Sequence, residues 1–224
     1  MDFAELVIGK TLLDNPIKAS LSQNLYNDKW LYLMAGIHGN EIEGIYLLKE
    51  LLPWLKDSIK LTIPCILIQN IDIDSYLFPE QGSGHGSNLN NLFPISSFRI
   101  TESNKKIITA QQNMRPEIIS LIKTLTNYPP QMVINFRTAK HSPKVISIGD
   151  SGLSLASYIS KALNYPLVSD NRPNPRTMEA FIYDFFLCPV IGVRFPHFTK
   201  NKTVQSICSD TIGCIQQLLS GQIY

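Results

Sequence analysis

His38 and Glu41 lie three positions apart in the segment WLYLMAGIHGNEIEGIYLLKE, residues 30–50, with Gly39 between them to let the backbone turn tightly. An imidazole nitrogen and a carboxylate offered from one turn can share a tetrahedral ion, and zinc is the natural candidate for that donor pair. The same spacing suits a turn histidine beside a helix whose first-turn acid complements the helix dipole. A catalytic zinc takes three protein ligands and keeps a water position open, so a third ligand and a general base have to come from elsewhere in the chain. Asp72, Asp74, Glu80 and Glu102 share no fixed spacing that would pair them as acid and base, and they read as loop acids.

The elements that would position this pair are legible from periodicity. Apolar runs rich in β-formers at 30–36, 61–69, 131–137, 144–148 and 189–195 read as largely buried strands. Helical patterns fall at 41–55, 116–126, 152–163, 177–186 and 203–219, the first placing Ile42, Ile45, Leu48 and Leu52 on one face. Such alternation predicts an α/β fold, a mixed and mostly parallel sheet with helices on both faces. Ligands of such sheets bind beyond the carboxyl ends of the strands. His38 follows the first strong strand, Arg137 ends another and Arg194 lies near the end of a third, so all three are placed to converge on one rim.

Bulk properties narrow the classes. With 224 residues, 44% hydrophobic and 17% charged, the chain fits one globular domain over residues 1–224. Its formal charge of +2 gives no reason to expect nucleic acid or an anionic membrane as partner. The acidic N-terminal stretch is unlike a signal peptide, and no apolar run approaches the ~18 residues of a membrane span, so a cytoplasmic location is expected. Cys65, Cys188, Cys208 and Cys214 lack CxxC spacing and read as buried, reduced thiols. Residues 75–97, SYLFPEQGSGHGSNLNNLFPISS, read as a loop excursion, and RPNPRTME at 172–179 as a connector.

The segment GIHGNEIEG resembles the GxHGxExxG signature of zinc carboxypeptidases, in the branch that includes murein-peptide amidases and succinylglutamate desuccinylases. Further likenesses follow in the family's order: Asn70 and Asp72 in QNIDID with Asn-Pro-Asp, GSNLNNLFP (86–94) with GVDLNRNFP, and RPE (115–117) with SEPE. VINFRT (133–138) resembles a strand ending in DLHS, and VIGVRFP (190–196) resembles ITLELP. RPNPRTME resembles the family's substrate-covering loop. The resemblance implies a zinc-carboxypeptidase-like fold, with His38 and Glu41 as two metal ligands.

It also implies departures. The third ligand histidine corresponds to Arg137, the substrate-carboxylate arginine to Asn91, and the catalytic glutamate to Arg194. A guanidinium stays protonated near neutrality and has no lone pair to give an ion. A unit charge ~5 Å from a divalent cation, at an effective dielectric of ~20, costs roughly 7 kcal/mol. Arg194 cannot take a proton from water, so the general-base step has no occupant. The expectation is therefore a silenced hydrolase in which Glu41 pairs with one arginine and the other, with Asn91, accepts a peptide or other carboxylate ligand. The alternative is an active zinc-dependent amidase on murein peptides or acyl amino acids with a displaced ligand, His141 in KHSPKV, while His85 and His197 read as loop and rim residues. Tyr183, Phe185, Phe186, Phe195 and Phe198 read as core, with Tyr183 the one candidate to line a pocket.

Overall fold

The computed structural model describes residues 3–22, 28–57, 63–78, 88–95, 114–197 and 204–219. Eight strands form one sheet: β1 (Phe3–Lys10), β2 (Pro16–Ser22), β3 (Trp30–Ala35), β4 (Cys65–Ile68), β5 (Pro130–Thr138), β6 (Lys144–Ile148), β7 (Leu167–Asp170) and β8 (Val190–Phe195). Their order is β1-β2-β4-β3-β5-β8-β6-β7. The central strands β4, β3, β5 and β8 run parallel, β6 joins β8 antiparallel, and β1 and β2 form an antiparallel margin. The expected mixed α/β sheet is thus present.

Six α-helices stand among the described residues: α1 (Ile42–Asp57), α2 (Ile73–Leu77), α3 (Pro116–Asn127), α4 (Leu153–Leu163), α5 (Met178–Phe186) and α6 (Val204–Leu219). Strand alternation sends Leu31, Leu33, Ile134, Phe136 and Val193 into one core with α1, α4 and α6, and Tyr32, Met34, Val133 and Val190 into a second core with α3 and α5. Helices therefore cover both faces, as the alternation of patterns predicts. The four cysteines are free and buried. No helix among the described residues is long and apolar enough to cross a membrane.

Several details depart from expectation. β1, β2 and β7 lie outside the predicted strands, and the run at 61–69 pairs only over Cys65–Ile68. Of the expected α1 face, Leu48 is buried and Ile45 and Leu52 pack partly buried against the same core, but Ile42 is 50% exposed, and Gly44, Leu47, Leu51 and Leu55 complete the buried side. The phase is set by Gly44, where a Cβ would come 2.4 Å from the Phe136 carbonyl oxygen, so α1 lies against β5 along a line that a count of apolar residues passes over. The expected loop at 75–97 begins inside helix α2, which ends at Leu77, and Leu89–Asn91 within it form a 3-10 turn. His85, Glu80, Glu102 and Phe198 lie outside the described residues.

Candidate functional site

The carboxyl ends of β3, β4, β5 and β8 share one rim. Gly36, at φ +65°, turns the chain out of β3, and its carbonyl accepts from the Ile71 and Asp72 amides at 3.0 and 2.7 Å, tying the end of β3 to the segment after β4. A Cβ on Gly39 would lie 2.2 Å from the Tyr76 nitrogen, so only glycine lets the turn rest on α2. Between these glycines His38 faces a cleft of about 780 Å³, whose walls also include Glu41, Asn91, Arg137, His141 and Arg194. The expected convergence of His38, Arg137 and Arg194 is what the fold produces.

Glu41 stands just before α1, with its amide hydrogen-bonded to the His38 carbonyl at 3.0 Å. The close approach of α1 to β5 brings it to Arg137, which grips both carboxylate oxygens: Nε donates to Oε2 at 2.8 Å and Nη2 to Oε1 at 2.7 Å. This is the planar fork that guanidinium and carboxylate form best. Arg137 is 8% exposed. Burial acts to lower its pKa, but the hydrogen bonds and charges of Glu41 and Glu179 overcome that and hold it above the ordinary value. Arg137 is therefore a permanent cation.

Glu179, which the sequence reading did not single out, is the second carboxylate of the site. It comes from the first turn of α5, N-capped by the Thr177 side chain, and it is 4% exposed. Its Oε1 accepts from Asn135 Nδ2 at 2.9 Å and lies 3.4 Å from Arg194 Nη2 and 3.6 Å from Arg137 Nη1. Burial would raise its pKa, but the two guanidinium charges, its own backbone amide and Asn90 bring it below the usual carboxylate range. The Arg194 pKa is lowered as well, by burial and then by Arg137 beside it. Asn90 fastens this corner, its Oδ1 accepting from the Met178 amide at 3.1 Å.

The His38 pKa is lowered, first by burial and then by the Arg137 charge. A neutral imidazole is a competent ligand, but its surroundings do not fit a zinc ion. Both oxygens of Glu41 accept from Arg137, whose guanidinium has no lone pair to offer an ion. His141 lines the cleft but is exposed, and no group of three His, Cys, Asp or Glu side chains gathers among the described residues. His197 faces Glu43 instead, with Nδ1 3.4 Å from Oε1, and Glu43 also accepts from the Thr138 hydroxyl. Tyr183 packs over Gly149 and is absent from the cleft wall. Asp72 caps α2, and Asp74 binds Thr11, Leu13 and Asn15 in the β1–β2 turn. Of the RPE motif, Arg115 pairs with the buried Glu117 at 2.9 Å.

With this geometry established, comparison with known proteins gives a consistent class. Residues 27–71 match the family described as Succinylglutamate desuccinylase/Aspartoacylase catalytic domain. The chain superposes on murein-tripeptide amidase from Escherichia coli O157 with a TM-score of 0.70 at 16% identity, covering 96% of this chain and 91% of that one. A putative carboxypeptidase A from Shewanella denitrificans OS-217 gives 0.71 at 14% identity, over 97% and 65%. Bovine thrombin-activatable fibrinolysis inhibitor gives 0.70 at 13% identity, over 97% and 89%. No curated protein matches in a sequence search. The fold is that of the carboxypeptidases, and the likeness of GIHGNEIEG to their desuccinylase-like branch holds over the matched segment.

Proposed function

We propose that the protein is a non-catalytic relative of the carboxypeptidase-type amidases that binds an anionic ligand, a peptide or other carboxylate, at the rim where relatives would hold zinc. The supporting observation is the Arg137–Glu41 fork. It engages both oxygens of Glu41, the carboxylate presented from the same turn as His38, and it sets a fixed positive charge beside them. Arg194 has a single polar contact among the described residues, the 3.4 Å approach to Glu179, and it opens on the cleft. A carboxylate entering the cleft meets that guanidinium, with Asn91 on the same wall.

The test is a titration of the full chain with N-acetyl-alanine and with its C-terminal amide, followed by NMR. The acid is expected to bind and the amide not to, and Arg194→Gln is expected to abolish the difference. Protein purified without added metal should contain no stoichiometric zinc. Release of amine from N-acyl amino acids, abolished by a chelator, would show an active hydrolase and bring the reading down.

A further inference from the structure

Three cations lie side by side across three neighbouring strands. Arg137 of β5 is the register partner of Arg194 of β8, and Arg194 is the register partner of Lys144, the first residue of β6. Strand alternation puts them on one face: Val133, Val190 and Ile148, each an even number of residues away, all pack in the core beneath α3 and α5. Like charges directly opposite one another on a sheet are destabilising, since their Cβ atoms stand only ~4.5–5.5 Å apart. Such an arrangement calls for counter-charge.

The described residues supply only part of it. Arg137 is matched by Glu41, and Glu179 is divided among Arg137, Arg194 and Asn135. Among the described residues no carboxylate lies within ion-pair distance of Lys144, and the exposed Lys140 stands on the same cleft wall. Asp72, the remaining acid of the wall, is directed to the Gly39 and Ser75 amides at 3.5 and 3.4 Å.

We propose that Lys144 is the second half of the anion site, and that Arg194 and Lys144 together take a compact dianion, the phosphoryl group of a phosphomonoester, in preference to a lone carboxylate. This rests on the anion-binding reading of Arg194 and adds to it a partner residue and a charge state. Two cations paired in register on adjacent strands, on the same face, line one cleft. A phosphoryl group carries nearly two charges on a single tetrahedral atom, with oxygens for the guanidinium fork and for an ammonium at once. A dicarboxylate of the succinate type separates its charges by two carbons and asks for two spaced sites.

The experiment is an NMR titration of the full chain at pH 8 with methyl phosphate, acetate and succinate. Methyl phosphate is expected to bind about tenfold more tightly than acetate, equivalent to ~1.4 kcal/mol. Lys144→Gln should shrink that ratio to about twofold or less, and Lys144→Arg should restore it. An unchanged ratio in Lys144→Gln, equal binding of methyl phosphate and acetate by the native chain, or tighter binding of succinate than of methyl phosphate would each overturn the proposal. Arg194→Gln separates the two readings: binding that survives it removes the anion site itself, whereas loss there with indifference at Lys144 removes only the partner and the dianion.

Discussion

The rim has two halves, and they have fared differently. At β3 and β4 the turn geometry is dictated by glycines: Gly36 at positive φ and Gly39 and Gly44 at contacts that admit no Cβ, with His38 and Glu41 presented between them. This half falls inside the segment that matches the desuccinylase-type family. At β5 and β8 the strands superpose on carboxypeptidases, but their ends carry Arg137 and Arg194 in a network with Glu179 and Asn135. The turn geometry of the first half and the charge network of the second are thus set by different residues, steric fit in one and ion pairing in the other.

If the second half holds the first in place, cutting the link between them should have the largest effect. Arg137→Ala leaves Glu41 and Glu179 facing each other without their shared cation, and loss of one partner from a buried ionic group costs about 3–5 kcal/mol. Denaturant unfolding at neutral pH should show that loss in the midpoint. Arg137→Lys should recover only part of it, because a point charge cannot reproduce the fork to Glu41. A loss under ~1 kcal/mol would mean that the two halves are independent.

Glu179→Gln tests the second half alone. It removes the negative charge between two guanidinium groups while keeping the side-chain shape, with an expected cost of about 2–3 kcal/mol. The loss should be smaller in the background of Arg194→Gln, since the repulsion it exposes then has one partner fewer; a double-mutant cycle reads that coupling. Gly44→Ala tests the first half alone. A Cβ 2.4 Å from the Phe136 carbonyl forces α1 away from β5, at about 1–3 kcal/mol, and it should loosen the Glu41–Arg137 fork as well.

What the sequence made legible follows the same division. The buried central strands announce themselves as apolar runs, and the glycine pattern around His38 has a steric meaning that can be read directly. Pairing of Glu41 with an arginine was foreseeable because both ends of the pair carry full charge at positions of recognisable type. Glu179 was not, because it sits in RPNPRTME, where nothing in the spacing separates it from an acid complementing the α5 N-terminus; only the fold brings it beneath Arg194 and Arg137. β1, β2 and β7 lie at the margins of the sheet and are only partly buried, so their side chains lack the unbroken apolar signal of the centre. On α1 only Ile42 departs from the expected face, because the contact line runs through Gly44, a residue that contributes fit rather than hydrophobicity.

The smallest expected effect is also the one most specific to the meeting of the halves. His38 belongs to the first, but its pKa is lowered by burial and then by the Arg137 charge of the second. A histidine whose folded pKa lies below its unfolded value of about 6.5 binds fewer protons in the native state across the interval between them. Stability therefore rises with pH there, is complete above that value, and falls as the solution is acidified through the interval. Glu179, whose pKa is also lowered in the fold, adds a separate loss only as the pH drops below the ordinary glutamate range near 4.5. His38→Gln should flatten the upper part of the profile and leave the lower part in place. Glu179→Gln should do the reverse. If the upper slope persists without His38, that imidazole does not carry it; if His38 does carry it but the slope is unchanged in Arg137→Gln, burial alone lowers the pKa and the rim is two neighbouring structures instead of one electrostatic unit.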